Sequence, residues 1–86
     1  MQNQLLIQYG AIRAMIGSNV ETIKKLIDQA ENLKKIVEGL GTGNEEIKRN
    51  INEEIAKIEN TIGDLITQTE NLFDKYNEFV KDVFSK

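Results

Sequence analysis

The 86-residue sequence contains no cysteine, no histidine, no proline and no tryptophan. Each absence removes a class of function. Without cysteine there is neither a disulfide framework nor a thiolate metal site. Without histidine the chain lacks the commonest general base and the commonest neutral metal ligand, and a serine–histidine triad cannot be built. Without proline nothing interrupts a long helix from within. Apolar runs are short as well: none exceeds three residues, too few to span a bilayer. The opening MQNQLLIQYG has no basic region and no extended apolar stretch, so no cleavable signal peptide is expected. Positive charge is also in deficit. A net charge of −3 argues against binding nucleic acid or an anionic membrane surface, both of which select a basic face. A chain of this length makes one small domain with a thin core, because it buries only about 60% of its unfolded surface.

What the sequence does contain is a heptad pattern on both sides of a glycine-rich stretch. In the first half, position a falls on Tyr9, Ile16, Ile23, Ala30 and Val37, and position d on Leu5, Ile12, Asn19, Leu26, Leu33 and Leu40. In the second half, a falls on Ile55, Ile62, Thr69, Tyr76 and Val83, and d on Ile51, Ile58, Leu65, Leu72 and Phe79. Only Asn19 and Thr69 break the pattern. Such regularity predicts two helices with a coiled-coil-like seam, over about 3–39 and about 45–84.

Residues 38–46 between them read EGLGTGNEE. A phosphate loop would need a preceding strand, and in the Walker form a following lysine with serine or threonine. Here an amphipathic helix precedes the glycines and glutamates follow them. The stretch therefore reads as a turn over 39–44 built on Gly39, Gly41, Thr42 and Gly43. Lys34 and Lys35 suit the negative end of the first helix dipole, and Glu45 and Glu46 the positive end of the second. Thr42 and Glu45 have capping-box spacing, with Asn44 as the alternative N-cap. A link this short makes the helices antiparallel neighbours. Folding about Thr42 pairs residues whose numbers sum to about 84: Ile23 with Ile62, Asn19 with Leu65, Ile16 with Thr69, Tyr9 with Tyr76 and Leu5 with Phe79. Each arm would be about 57 Å long at the α-helical rise. The expected fold is all-α, one helical hairpin over 1–86.

No catalytic constellation accompanies it. The carboxylates at Glu45–Glu46, Glu53–Glu54 and along the second helix fall mostly off the seam, where they read as solvated helix surface rather than acid–base or metal groups. Di-metal bundles rely on Glu-x-x-His pairs, and histidine is absent. No catalytic residue, cofactor or metal is expected, and the chain reads as a non-enzyme. Function should lie in a surface.

That surface is one flank. The e positions hold Leu6, Arg13, Val20, Ile27 and Lys34 in the first helix, then Asn52, Glu59, Ile66, Phe73 and Val80 in the second. In an antiparallel pair they share a side, with Val20 expected near Ile66, Leu6 near Val80 and Phe73 beside Arg13. The second helix's g positions opposite are almost all polar after Ile47. Gly10, Gly17, Gly63 and Phe84 occupy the adjoining b positions, where glycine would admit another backbone closely. A contiguous apolar strip on a small domain marks an interface, and two such strips would complete a four-helix bundle.

An acidic, cysteine-free hairpin of this size resembles the small WxG-motif proteins of bacterial type VII secretion and the short helical partners of LXG-domain toxins. Tyr9-Gly-Ala-Ile-Arg-Ala, entering a long helix, is similar to the amino-terminal helix of many members. The turn carries Gly39-Leu40-Gly41-Thr42-Gly43 in place of the family's Trp-x-Gly. The family's carboxy-terminal export signal, an aromatic followed four residues later by an acid, has no match: Tyr76 is followed by Val80, Phe73 by Asn77 and Phe79 by Val83. The resemblance implies an adaptor in the bacterial cytoplasm, exported if at all within a complex, whose partner carries the signal. That partner would be a small hairpin protein or a toxin's helical targeting domain. The alternative is a self-assembling homodimeric coiled coil. Asn19, Thr69, Tyr9 and Tyr76 are the only polar seam groups that a ligand site could use.

Overall fold

The computed structural model describes residues 2–84, and the side chains of 2, 3 and 5 lie outside that description, as does the expected contact of Leu5 with Phe79. Two helices, α1 (Gln2–Gly39) and α2 (Glu45–Phe84), pack side by side as an antiparallel hairpin. The molecule is a rod of 65 × 15 × 14 Å with a radius of gyration of 19.3 Å. A compact chain of this length would have a radius near 12 Å.

The heptad positions form the contact. Every described a and d residue from Tyr9 to Phe79 is buried or half-buried. Among the described residues only Ala30, Ile55 and Thr69 are fully buried. Two helices cover one stripe of each other and nothing more, so most of the seam keeps an edge in solvent. The accessible surface is 6801 Å², against roughly 5,200 Å² for a compact monomer of this mass. Val83, an expected a position, is 45% exposed. It stands in the last turn of α2, level with position 5 of α1, whose side chain lies outside the described residues.

The register differs from the simple fold about Thr42. Asn19 Nδ2 donates to Thr69 Oγ1 at 3.3 Å, and the ring centroids of Tyr9 and Phe79 lie 5.9 Å apart. Both pairs sum to 88 rather than 84. Antiparallel packing joins an a position to a d position in each layer, and sums of 88 and 81 satisfy that whereas 84 does not. Of those two, only 88 sets the two polar seam residues against each other. At 81, Asn19 would face Ile62 and Thr69 would face Ile12, leaving two polar groups against apolar partners. Asn19 therefore meets Thr69, not Leu65, and Ile16 comes level with Leu72. Tyr9 and Tyr76 do meet, through their hydroxyls at 3.3 Å.

The turn accommodates this offset. Gly41 and Gly43 adopt φ of +65° and +95° and Asn44 φ of 54°, the left-handed region that glycine and asparagine tolerate best. Gly39 is the last helical residue. The Lys48 amide bonds the Asn44 carbonyl at 2.9 Å, so Asn44 and not Thr42 caps α2. The last turn of α1 has no cation, since Lys34 and Lys35 lie a turn too early. Lys48 of α2 instead holds the turn, its ammonium donating to the Gly41 carbonyl oxygen. Glu45 lies 4.0 Å from the same ammonium. Glu45 and Glu46 occupy the first turn of α2 and Lys81 its last, each the favourable sign for that end.

Candidate partner-binding flank

The e positions of both helices emerge on one long face. Leu6 is 67% exposed, Ile27 41%, Ile66 44% and Phe73 48%, with Val20 at the margin and Val80 half-buried. Phe84 projects beyond them at 82%. The seam accounts for this exposure. A side chain one position past d points sideways from the helix pair, and no third element is present to cover it.

Lys34 Nζ lies 3.7 Å from Glu59 Oε1, an ion pair between e positions of the two helices. Leu6 and Val80 line one groove, of about 480 Å³, together with Tyr76, Phe79 and Phe84. Phe73, Arg13 and Gly17 line another, of about 510 Å³. Tyr9 and Tyr76 belong to both, so a nearly continuous cleft runs along the half of the hairpin remote from the turn.

Gly10, Gly17 and Gly63 stand in open space: a Cβ on any of them would meet nothing within 4 Å. The hairpin's own packing does not require these glycines. Exposed helix-interior glycine costs about 1 kcal/mol relative to alanine, and nothing within the chain offsets that loss. On the opposite flank at the same height, Met15 and Leu72 share a shallow depression with Ser18, Asn19, Gln68, Asn71 and Lys75.

The aromatic end has its own electrostatics. The Tyr9 and Tyr76 rings are 5.4 Å apart and tilted by 40°. The Arg13 guanidinium sits 5.7 Å from the Tyr9 centroid, a cation over a π face. The hydrogen bond from Tyr76, assisted by Arg13, lowers the pKa of Tyr9 below the usual phenol value. The same bond, together with burial, raises that of Tyr76. The pair thus loses its first proton more readily than a free tyrosine and its second less readily.

Several features escaped the heptad reading. Ile36 and Ile47, both g positions beside the turn, are 51% and 50% exposed and make a second, smaller apolar spot. Met15 and Ile7 are also exposed off the e flank. The g letters of Ile36 and Ile47 signal their proximity, but reading each helix separately hides it. The bond from Lys48 to the Gly41 carbonyl could not be read from spacing, because it depends on the path of the turn.

Among the described residues no three acidic side chains gather as a metal site would require. No helix among the described residues is long and apolar enough to cross a membrane. Compared with protein-family models, curated proteins and solved structures, the chain matches none.

Proposed function

We propose that this chain is a non-enzymatic helical adaptor that docks another helical protein along its e flank, completing a four-helix bundle. The observation that carries this reading is the strip from Leu6 and Phe84 to Ile27 and Ile66: large apolar side chains left substantially exposed along one face, in greater number than on the opposite flank, where Met15, Ile36 and Ile47 are exposed. The rod exposes roughly 1,600 Å² more than a compact monomer would. That excess is large enough to contribute one side of a standard interface, about 800 Å² per partner. The glycines at Gly10, Gly17 and Gly63 support the same reading, because a partner helix could approach their backbones closely. By its resemblance, the setting is a type VII secretion complex in bacteria. The partner is then a small WxG-type hairpin or the helical targeting domain of an LXG toxin, and it carries the export signal.

Co-expression with such a helical protein encoded beside this chain tests the reading. The expected result is a stable heteromeric complex that Phe73→Asp abolishes while the isolated hairpin stays helical. Normal binding by Phe73→Asp would place the contact elsewhere. A homodimer formed by the isolated chain and unmoved by any helical partner would favour a self-assembling coiled coil, whose e flanks meet across a two-fold axis.

A further inference from the structure

The seam changes character at one height on both helices. From the turn upward its layers are aliphatic: Val37, Leu33, Ala30, Leu26 and Ile23 on α1, with Ile51, Ile55, Ile58, Ile62 and Leu65 on α2. The next layer is Asn19 with Thr69. Around it the helices themselves are weakened. Thr22 Oγ1 donates back to the Ser18 carbonyl at 3.0 Å. Thr67 Oγ1 bonds the Gly63 carbonyl at 3.2 Å, and Thr69 Oγ1 bonds that of Leu65 at 2.7 Å. Hydroxyls bonded to carbonyls of the preceding turn loosen a helix and favour bending. Gly17-Ser18 is the kind of pair at which helices kink, and Gly63 lies on α2 about two turns nearer the connecting turn. A Cβ at Gly17 or Gly63 would meet nothing, so neither glycine is there to relieve crowding within the hairpin.

We infer that residues 17–22 of α1 and 63–69 of α2 form a transverse hinge, about which the arms 2–16 and 70–84 part from one another as a unit while the turn-proximal half stays zipped. Each helix would need only one weak segment to bend, but both have one, and the two overlap in height where 19–22 faces 66–69. The polar layer between them removes the apolar contact that would otherwise hold the seam closed there. Beyond the hinge lie Ile12, Ile16 and Leu72 and the aromatic cluster of Tyr9, Tyr76 and Phe79, together with the cleft of the e flank. Opening would widen that cleft, whatever binds in it, so the inference does not depend on the docking reading.

Native-state amide exchange on the full chain, followed residue by residue by NMR in low urea, tests it. The expected pattern is a step. Amides of the arms exchange through one shared opening with a common urea dependence, at least roughly tenfold faster than those at 26–37 and 51–62. Two variants identify the cause. Asn19→Leu combined with Thr69→Ile should close the step by about tenfold through a packed apolar layer. Gly17→Ala combined with Gly63→Ala, which leaves the seam untouched, should narrow it through helix propensity alone. A smooth gradient from the free ends toward the turn would mean ordinary fraying and would overturn the hinge. So would a step that neither pair of substitutions alters.

Discussion

Ile55 and Ile66 are isoleucines on the same helix, eleven residues apart, and they should respond very differently to truncation. Ile55 is 6% exposed and Ile66 is 44% exposed. Replacing a buried isoleucine by alanine removes three carbon atoms, worth roughly 2.4 kcal/mol in transfer, and a cavity adds to that. A thin two-helix seam collapses easily, so Ile55→Ala should cost about 2.5–3 kcal/mol, at the lower end of the usual range. Ile66 already gives nearly half of its surface to water, and no wall closes behind it. Ile66→Ala should therefore cost about 1 kcal/mol in the isolated hairpin. Urea unfolding followed by far-ultraviolet circular dichroism, at a concentration where the chain is monomeric, measures both. With a partner bound, the loss at Ile66 should grow toward that at Ile55 as the flank becomes interior. Equal costs in the isolated monomer would refute the reasoning, because Ile66 would then belong to the hairpin's own core.

Glycine substitutions should split by position. Gly10→Ala fills open space on a helix and should stabilise the monomer by up to about 1 kcal/mol. Gly41→Ala, at φ +65°, should destabilise it by about 1–2 kcal/mol in the same assay. An ultraviolet phenolate titration should show two steps, one below and one above the ordinary tyrosine value. Tyr9→Phe should leave Tyr76 titrating nearer to that value, since the hydrogen bond that raises it is gone. Because Tyr76 holds its proton more tightly when folded, its contribution to stability is present below the ordinary tyrosine pKa and is lost as pH climbs through its raised one. Lys34→Ala should change stability by only a few tenths of a kcal/mol, since its ion pair with Glu59 is solvent-exposed on both sides.

Much of the fold was legible because helical periodicity is local. The seam positions from Tyr9 to Phe79, the reversal at the glycines and the acidic start of α2 all follow from spacing and end effects within a few residues. The register was legible in principle and still misread. Folding about Thr42 treats the turn as symmetric, whereas the pairing of Asn19 with Thr69 moves the layers by four in the sum of residue numbers. Two polar residues in an otherwise apolar seam are the signal that would have corrected it. Of the flank, the heptad letters placed Leu6, Val20, Ile27, Ile66, Phe73 and Val80 on one side. They could not say how much of each stays exposed, nor that Ile36 and Ile47 share a second spot beside the turn.

By itself, the sequence determined that two long helices form, where they reverse and which stripe each turns toward the other, since these depend on propensity, end capping and a repeat of about 3.5 residues. Tertiary structure alone decided the register of α2 against α1 and that Lys48 of α2 ties down the Gly41 carbonyl in the turn. It also left a flank of large apolar side chains in water. The physical reason is the same in each case: two rods meet along a single line, so whatever lies one position off that line is covered only when something else arrives.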